Sequence, residues 1–276
     1  MRRSPVAAEG RPLSAALQPR NALARQRAIV TAGLGAVIVL AWAYLLWMAW
    51  GMQHMDVGAS MLLMPRMTNW GPVDLLLVFL MWAVMMAAMM LPSALPMVLA
   101  YGAVARDAPA RERALGVAVF VAGYLAIWSL FSALMTLLQW GLLEARLVSP
   151  MMESRSPWFG GAVLIAAGLF QLTPLKNACL ANCRSPLSFL MTGWRPGIGG
   201  AWSMGLRHGL YCTGCCWLLM ALLFVLGVMN VAWIAALAAF VLLEKLVVLR
   251  WTSLASGLLL IGWGATLLAR AALGAG

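Results

Sequence analysis

Long apolar runs separated by short polar stretches dominate the chain. They lie at about 28–50, 74–101, 115–140, 158–173, 201–226, 230–249 and 253–270. About 20 apolar residues in a helix rise about 30 Å, enough to cross the hydrocarbon layer. The pattern therefore predicts an all-α fold, a polytopic transmembrane helix bundle of about seven spans. Six is the alternative, because the run at 158–173 is short. Residues 1–27 are polar and Arg-rich, with Pro5, Pro12 and Pro19, and read as a disordered basic cytoplasmic arm. The run from Ala28 is too long for a signal-peptide core and is expected to stay as a span. Residues 28–273 then form a single transmembrane helical domain, with a polar loop at about 174–200. Pro92–Pro96 and Pro196–Gly200 mark kinks or loop ends rather than domain linkers. No tandem repeat is visible.

Composition agrees with the pattern. The chain is 64% hydrophobic and 10% charged, against roughly 45–50% and 25% for a soluble domain. That balance excludes a cytosolic enzyme, a disordered chain and a nucleic-acid-binding domain, and makes the lipid bilayer the first partner. The net charge of +11 is explained by placement. Arg2, Arg3, Arg11, Arg20, Arg25 and Arg27 precede the first run. Arg106, Arg111 and Arg113 follow the second, Lys176, Arg184, Arg195 and Arg207 lie around the start of the fifth, and Lys245 and Arg250 flank the last turn. Only Arg66, Arg146, Arg155 and Arg270 fall on the other side. Cations collect on the cytoplasmic face, so the N-terminus is expected in the cytoplasm and the C-terminus outside.

The chemistry-bearing residues are sulfur-rich. All 5 cysteines fall between Cys179 and Cys216. Cys179 and Cys183 are four apart, in the loop that opens at Thr173-Pro174, an N-cap followed by a first-turn proline. The second group is Arg207-His208-Gly-Leu-Tyr-Cys212-Thr-Gly-Cys215-Cys216. At about 100° per residue, His208, Cys212, Cys215 and Cys216 share one helix face. Thiolate and imidazole groups converging from two segments suit Cu(I), Zn(II) or an iron–sulfur cluster. A reducing cytoplasmic face leaves five thiols free of any need for disulfides. Cys212-Thr-Gly-Cys215 is also a C-x-x-C, which keeps thiol–disulfide exchange as a competing use.

There are 20 methionines. Met81, Met85 and Met89 repeat every four residues and form one stripe, with Met86 and Met90 beside it. Thioethers bind Cu(I) without carrying charge, and copper uptake channels are similarly built on an M-x-x-x-M pair. Packing filler is the plain alternative. The preceding outer segment holds His54, Met55 and Asp56, a candidate for collecting the ion from outside. Glu244 and Lys245 end the sixth run. They read either as paired end residues that reach the interface or, for Glu244, as an acceptor orienting His208. Asp74 reads as an N-terminal cap of the second run. No P-loop, G-x-S-x-G or H-E-x-x-H is present, and with 8 Asp+Glu there is no oxygen cage for Ca²⁺ or Mg²⁺.

Three stretches carry a likeness: MWAVMMAAMMLPSALPMVLAY (81–101), QLTPLKNACLANCRSPLSF (171–189) and MGLRHGLYCTGCCWLLMALLFVLGVMN (204–230), with LLEK at 242–245. They resemble a bacterial family of predicted metal-binding integral membrane proteins that carries a domain of unknown function. The resemblance implies a multi-span bundle in the bacterial inner membrane and a metal site at Cys179, Cys183, His208, Cys212, Cys215 and Cys216.

The leading expectation is a membrane protein that handles Cu(I), by uptake, delivery or sensing, and passes it to a metallochaperone or cuproenzyme. The Met81/Met85/Met89 stripe and the His54 segment would form its path, with zinc as the other candidate metal. Two alternatives stay open: a membrane thiol–disulfide oxidoreductase using Cys212 and Cys215, and a structural subunit stapled by zinc or copper.

Overall fold

The computed structural model describes residues 13–53, 70–147, 156–247 and 250–274. Among these residues there are helices and turns and no strand. The helices are α1 (Leu13–Gln53), α2 (Pro72–Val104), α3 (Ala110–Glu144), α4 (Pro157–Gln171), α5 (Pro174–Arg184), α6 (Pro186–Gly193), α7 (Gly197–Ala221), α8 (Leu223–Leu226), α9 (Val231–Leu246) and α10 (Arg250–Ala272). His54 and Met55 lie outside the described residues. α1 begins at Leu13 and so reaches back into the stretch assigned from sequence to the basic arm.

Local sequence explains many of the boundaries. Proline stands at the first turn of α2, α4, α5 and α6, where its missing N–H costs nothing. Side chains of Ser156, Thr173 and Asn230 accept from the backbone N–H of Phe159, Lys176 and Trp233, capping α4, α5 and α9. Asp74 reaches back instead, its Oδ2 accepting the Gly71 N–H at 2.8 Å. α2 runs on through Pro92 and Pro96.

Among the described residues, five segments are long and apolar enough to cross a membrane: Ala24–Gly51, Pro72–Asp107, Ala110–Glu144, Gly197–Leu226 and Trp251–Ala272. A sixth arises if α4 and α5, bent by 63°, form one broken span. α9, expected as a full span, has 16 residues. It rises about 24 Å, short of the roughly 30 Å hydrocarbon layer.

α2 is the centre of the bundle and contacts α1, α3, α6 and α9. Its buried side chains are the methionines of the stripe with Trp82, Val78 and Leu91. α1 and α10 lie outside it and turn Val39, Leu40, Leu258 and Leu259 outward. Outward apolar side chains fit lipid contact.

Glycine sets two close helix approaches. α3 and α7 meet through Gly123, Gly205 and Gly209. A Cβ on Gly205 would stand 2.2 Å from the Phe120 carbonyl oxygen. α4 and α10 meet through Gly161 and Gly168 against Gly264 and Gly257, where added Cβ atoms would fall 2.7–3.0 Å from the facing carbonyl oxygens. Small residues are what let backbones pack this tightly, as they do between helices in lipid. The α3–α7 approach fixes the helix that carries His208 and three of the cysteines.

Candidate metal centre

Four of the five thiols are buried together. Cys212, Cys215 and Cys216 lie on the inward face of α7, all at most 2% exposed. Four-residue and three-residue spacings put them there, as the helical period requires. The Cys215 and Cys216 thiols donate to the Cys212 carbonyl at 3.1 and 3.0 Å. α5 packs on α7 and brings Cys183 in from the side. Its thiol is in side-chain contact with both Cys212 and Cys215, and the Cys216 thiol touches the same pair. The two cysteine segments therefore converge. Cys179, one turn earlier on α5, is half-buried and sits against Gly214, near Cys215. All five cysteines are free thiols.

The polar neighbours come from three other helices. Lys245 of α9 is 7% exposed. Its Nζ donates to the Cys212 sulfur at 3.0 Å and to the Ser93 hydroxyl at 2.8 Å. The Tyr124 hydroxyl of α3 lies 3.1 Å from Cys212 Sγ and donates to the Met90 carbonyl at 3.2 Å. Ser93 donates to the same carbonyl. One buried sulfur is thus held by an ammonium and a phenol, next to the methionine helix.

The adjacent residue points elsewhere. Successive helical residues diverge by about 100°, so Glu244 faces α5 and α10 while Lys245 faces α2 and α7. Glu244 Oε1 accepts from Lys176 Nζ at 2.5 Å and from Ser253 at 3.1 Å, and Lys176 also donates to Gln171 Oε1. Arg184 donates to the Glu244 and Val247 carbonyls. The expectation of a Glu244–Lys245 pair at the interface is corrected: both are buried and each binds a different partner. Glu244 is also not the orienter of His208. It clamps α5, the helix that carries Cys179 and Cys183, onto α9.

His208 is buried one turn before Cys212, at 2% exposure. Its ring sits among Phe120, Tyr124 and Phe189, with centroids 6.1, 5.3 and 5.8 Å away. Neither ring nitrogen has a hydrogen-bond partner. Unpartnered buried nitrogens are costly and call for an explanation such as an unseen ion or water.

Met81, Met85 and Met89 are at most 1% exposed and belong to the same core cluster as Cys183, Cys212, Cys215 and Cys216. Met48, Met135 and Met220, from three other helices, join that cluster. Farther along the α2–α3 contact, Trp82 Nε1 donates to Gln139 Oε1 at 2.6 Å. Among the described residues, no three His, Cys, Asp or Glu side chains are arranged to close on one ion.

Residues 79–267 match PpoB2, a family described as copper chaperone. The chain belongs to that family. The matched span includes the methionine stripe, α5 with both of its cysteines, the His208–Cys216 face and Lys245. No curated protein and no solved structure matches the chain. The PpoB2 match gives the chain a copper-related role.

The sequence reading missed Lys245, Tyr124 and Ser93 as neighbours of the sulfur cluster. A lysine inside an apolar run was the available signal, because a buried charge in a span is expensive and needs a partner. Tyr124 and Ser93 lie on helices far away in sequence, and no local pattern pointed to them.

Proposed function

We propose that this PpoB2-family chain is an integral protein of the bacterial inner membrane that holds Cu(I) on its buried thiols and delivers it to a copper-requiring partner. The carrying observation is the meeting of Cys183 with Cys212, Cys215 and Cys216 beside the Lys245 ammonium. Soft thiolates select Cu(I), and Cu(I) is content with two or three sulfur donors. Tetrahedral zinc asks for four ligands closing on one ion, and among the described residues no three His, Cys, Asp or Glu side chains do so. A copper ion bound by two thiolates carries net negative charge, and Lys245 supplies the offsetting positive charge. His208, with both nitrogens free, is an optional additional donor. The placement of cations supports an N-terminus in the cytoplasm and a site toward that side.

Elemental mass spectrometry of anaerobically purified protein tests this reading. Copper is expected in the parent and absent from a Cys212→Ser/Cys215→Ser double variant. Zinc lost in the same way would replace copper transfer by a structural staple. No metal in either protein would overturn the reading and favour thiol redox chemistry.

The methionine stripe is proposed as the path by which the ion reaches the thiols, with His54 and Met55 at its outer end. Support comes from Met81, Met85 and Met89 sharing one core with the cysteines. Leu for Met is close to volume-conserving and costs about 1.5 kcal/mol or less per site. A Met81→Leu/Met85→Leu/Met89→Leu variant is therefore expected to fold, and to bind copper supplied at the thiols in detergent. In sealed vesicles, copper supplied from the outer side should load it far more slowly than the parent. Equal loading rates would reduce the stripe to packing.

A further inference from the structure

The five thiols are not equivalent, and the difference divides their work. Cys183, Cys212, Cys215 and Cys216 are buried, whereas Cys179 is half-buried at the edge of the cluster. We infer that Cys179 is the exchange thiol, through which Cu(I) passes between the buried sulfurs and a soft donor, thiol or thioether, on an incoming partner. This rests on the copper reading above and assigns one residue a separate role within it.

Three observations support the assignment. Cys179 lies at the edge of the cluster: its sulfur packs against Gly214, the residue before Cys215, and it precedes Cys183 by one turn of α5. It is also set in place by a gap in α7. A Cβ on Gly214, between Cys212 and Cys215, would stand 3.1 Å from Cys179 Sγ, so the missing side chain makes the room that this sulfur fills. Finally, small and polar side chains lie beside it on α5, next to the exposed Leu175. Asn177, Ala178 and Ala181 are exposed, and Asn177 and Asn182 turn their amides back onto the Thr173 and Ala178 carbonyls. The small exposed side chains leave a donor room to approach the sulfur. The Lys176–Glu244 clamp holds α5 in this position.

The exchange moves no electrons. Copper stays Cu(I) throughout. Cys179 first loses its proton as its sulfur bonds to the copper, and one buried thiolate leaves and takes up a proton. An acceptor thiol then loses its proton as its sulfur bonds to that copper. A second buried thiolate leaves and takes up one proton, so charge and protons balance. A thioether acceptor releases no proton, and the thiolate that leaves is then protonated from water. Repeating the step at Cys179 transfers the ion. A cysteine bonds the metal as its thiolate, and among the five cysteines Cys179 alone joins a place at the edge of the cluster to partial exposure.

The test uses full-length protein loaded with Cu(I) in detergent without oxygen, and a colorimetric Cu(I) chelator as the acceptor, followed by stopped flow. Cys179→Ser should retain the copper content of the parent but transfer it roughly tenfold or more slowly, about 1.4 kcal/mol or more in the barrier. Cys179→Met, which keeps a soft donor, should recover part of the rate. Transfer by Cys179→Ser at the parental rate would overturn the inference and leave the copper site standing. Loss of copper from Cys179→Ser would make Cys179 a holding ligand and also overturn it. A parent that takes up no copper would instead overturn the proposed function.

Discussion

Glu244→Gln is expected to be the most destabilising single substitution around the site. Lys176 is 0% exposed and Glu244 2% exposed, and their charged atoms stand 2.5 Å apart. Removing the carboxylate leaves a buried ammonium with the Gln171 amide and the introduced amide to face it. Breaking a buried pair from one side typically costs about 3–5 kcal/mol. Thermal unfolding in detergent should show a large fall in Tm for Glu244→Gln. A Lys176→Met/Glu244→Leu double variant should recover much of it, because no charge is then stranded. A second consequence separates this clamp from ordinary packing. The pair ties α5 to α9, so Glu244→Gln should also weaken copper retention although Glu244 touches no cysteine. Unchanged stability in the single variant would show that the pair does not hold α5.

Lys245→Met is expected to act in the opposite sense on fold and on binding. Its ammonium is buried against Cys212 and Ser93, and a buried cation costs several kcal/mol unless an anion faces it. Methionine has similar bulk and no charge. The copper-free variant should therefore unfold at a temperature no lower than the parent. Its affinity for Cu(I) should fall about 10–100-fold, the usual effect of losing a group that supports metal ligands. Competition with a Cu(I) chelator measures the second quantity and calorimetry the first. A lower Tm together with unchanged copper affinity would make Lys245 a structural residue.

The two neighbours also show where sequence reasoning reaches and where it stops. Glu244 and Lys245 were visible as charges at the end of an apolar run, and the cost of burying them was predictable. Their partners were not. Lys176 lies 68 residues from Glu244 along the chain and Ser93 lies 152 residues from Lys245. A helix period shows that adjacent side chains diverge, but it does not show what stands opposite each.

Local sequence patterns carried the helical class, most of the helix positions, the cap at Thr173, and the sharing of one α7 face by His208, Cys212, Cys215 and Cys216. These follow from local rules: hydrophobic run length, first-turn prolines and a 3.6-residue period. The sequence also offered Cys179 and Cys183 as a second group of candidate ligands. Tertiary structure alone decided that Cys183 enters the buried cluster while Cys179 stays at its edge. It placed Lys245 and Tyr124 on Cys212, turned Glu244 toward Lys176, and closed aromatic rings around His208. Those outcomes depend on which helices meet and how closely. The glycine contacts of α3 with α7 and of α4 with α10 set that distance, and backbone approach between helices leaves no periodic trace in a single chain.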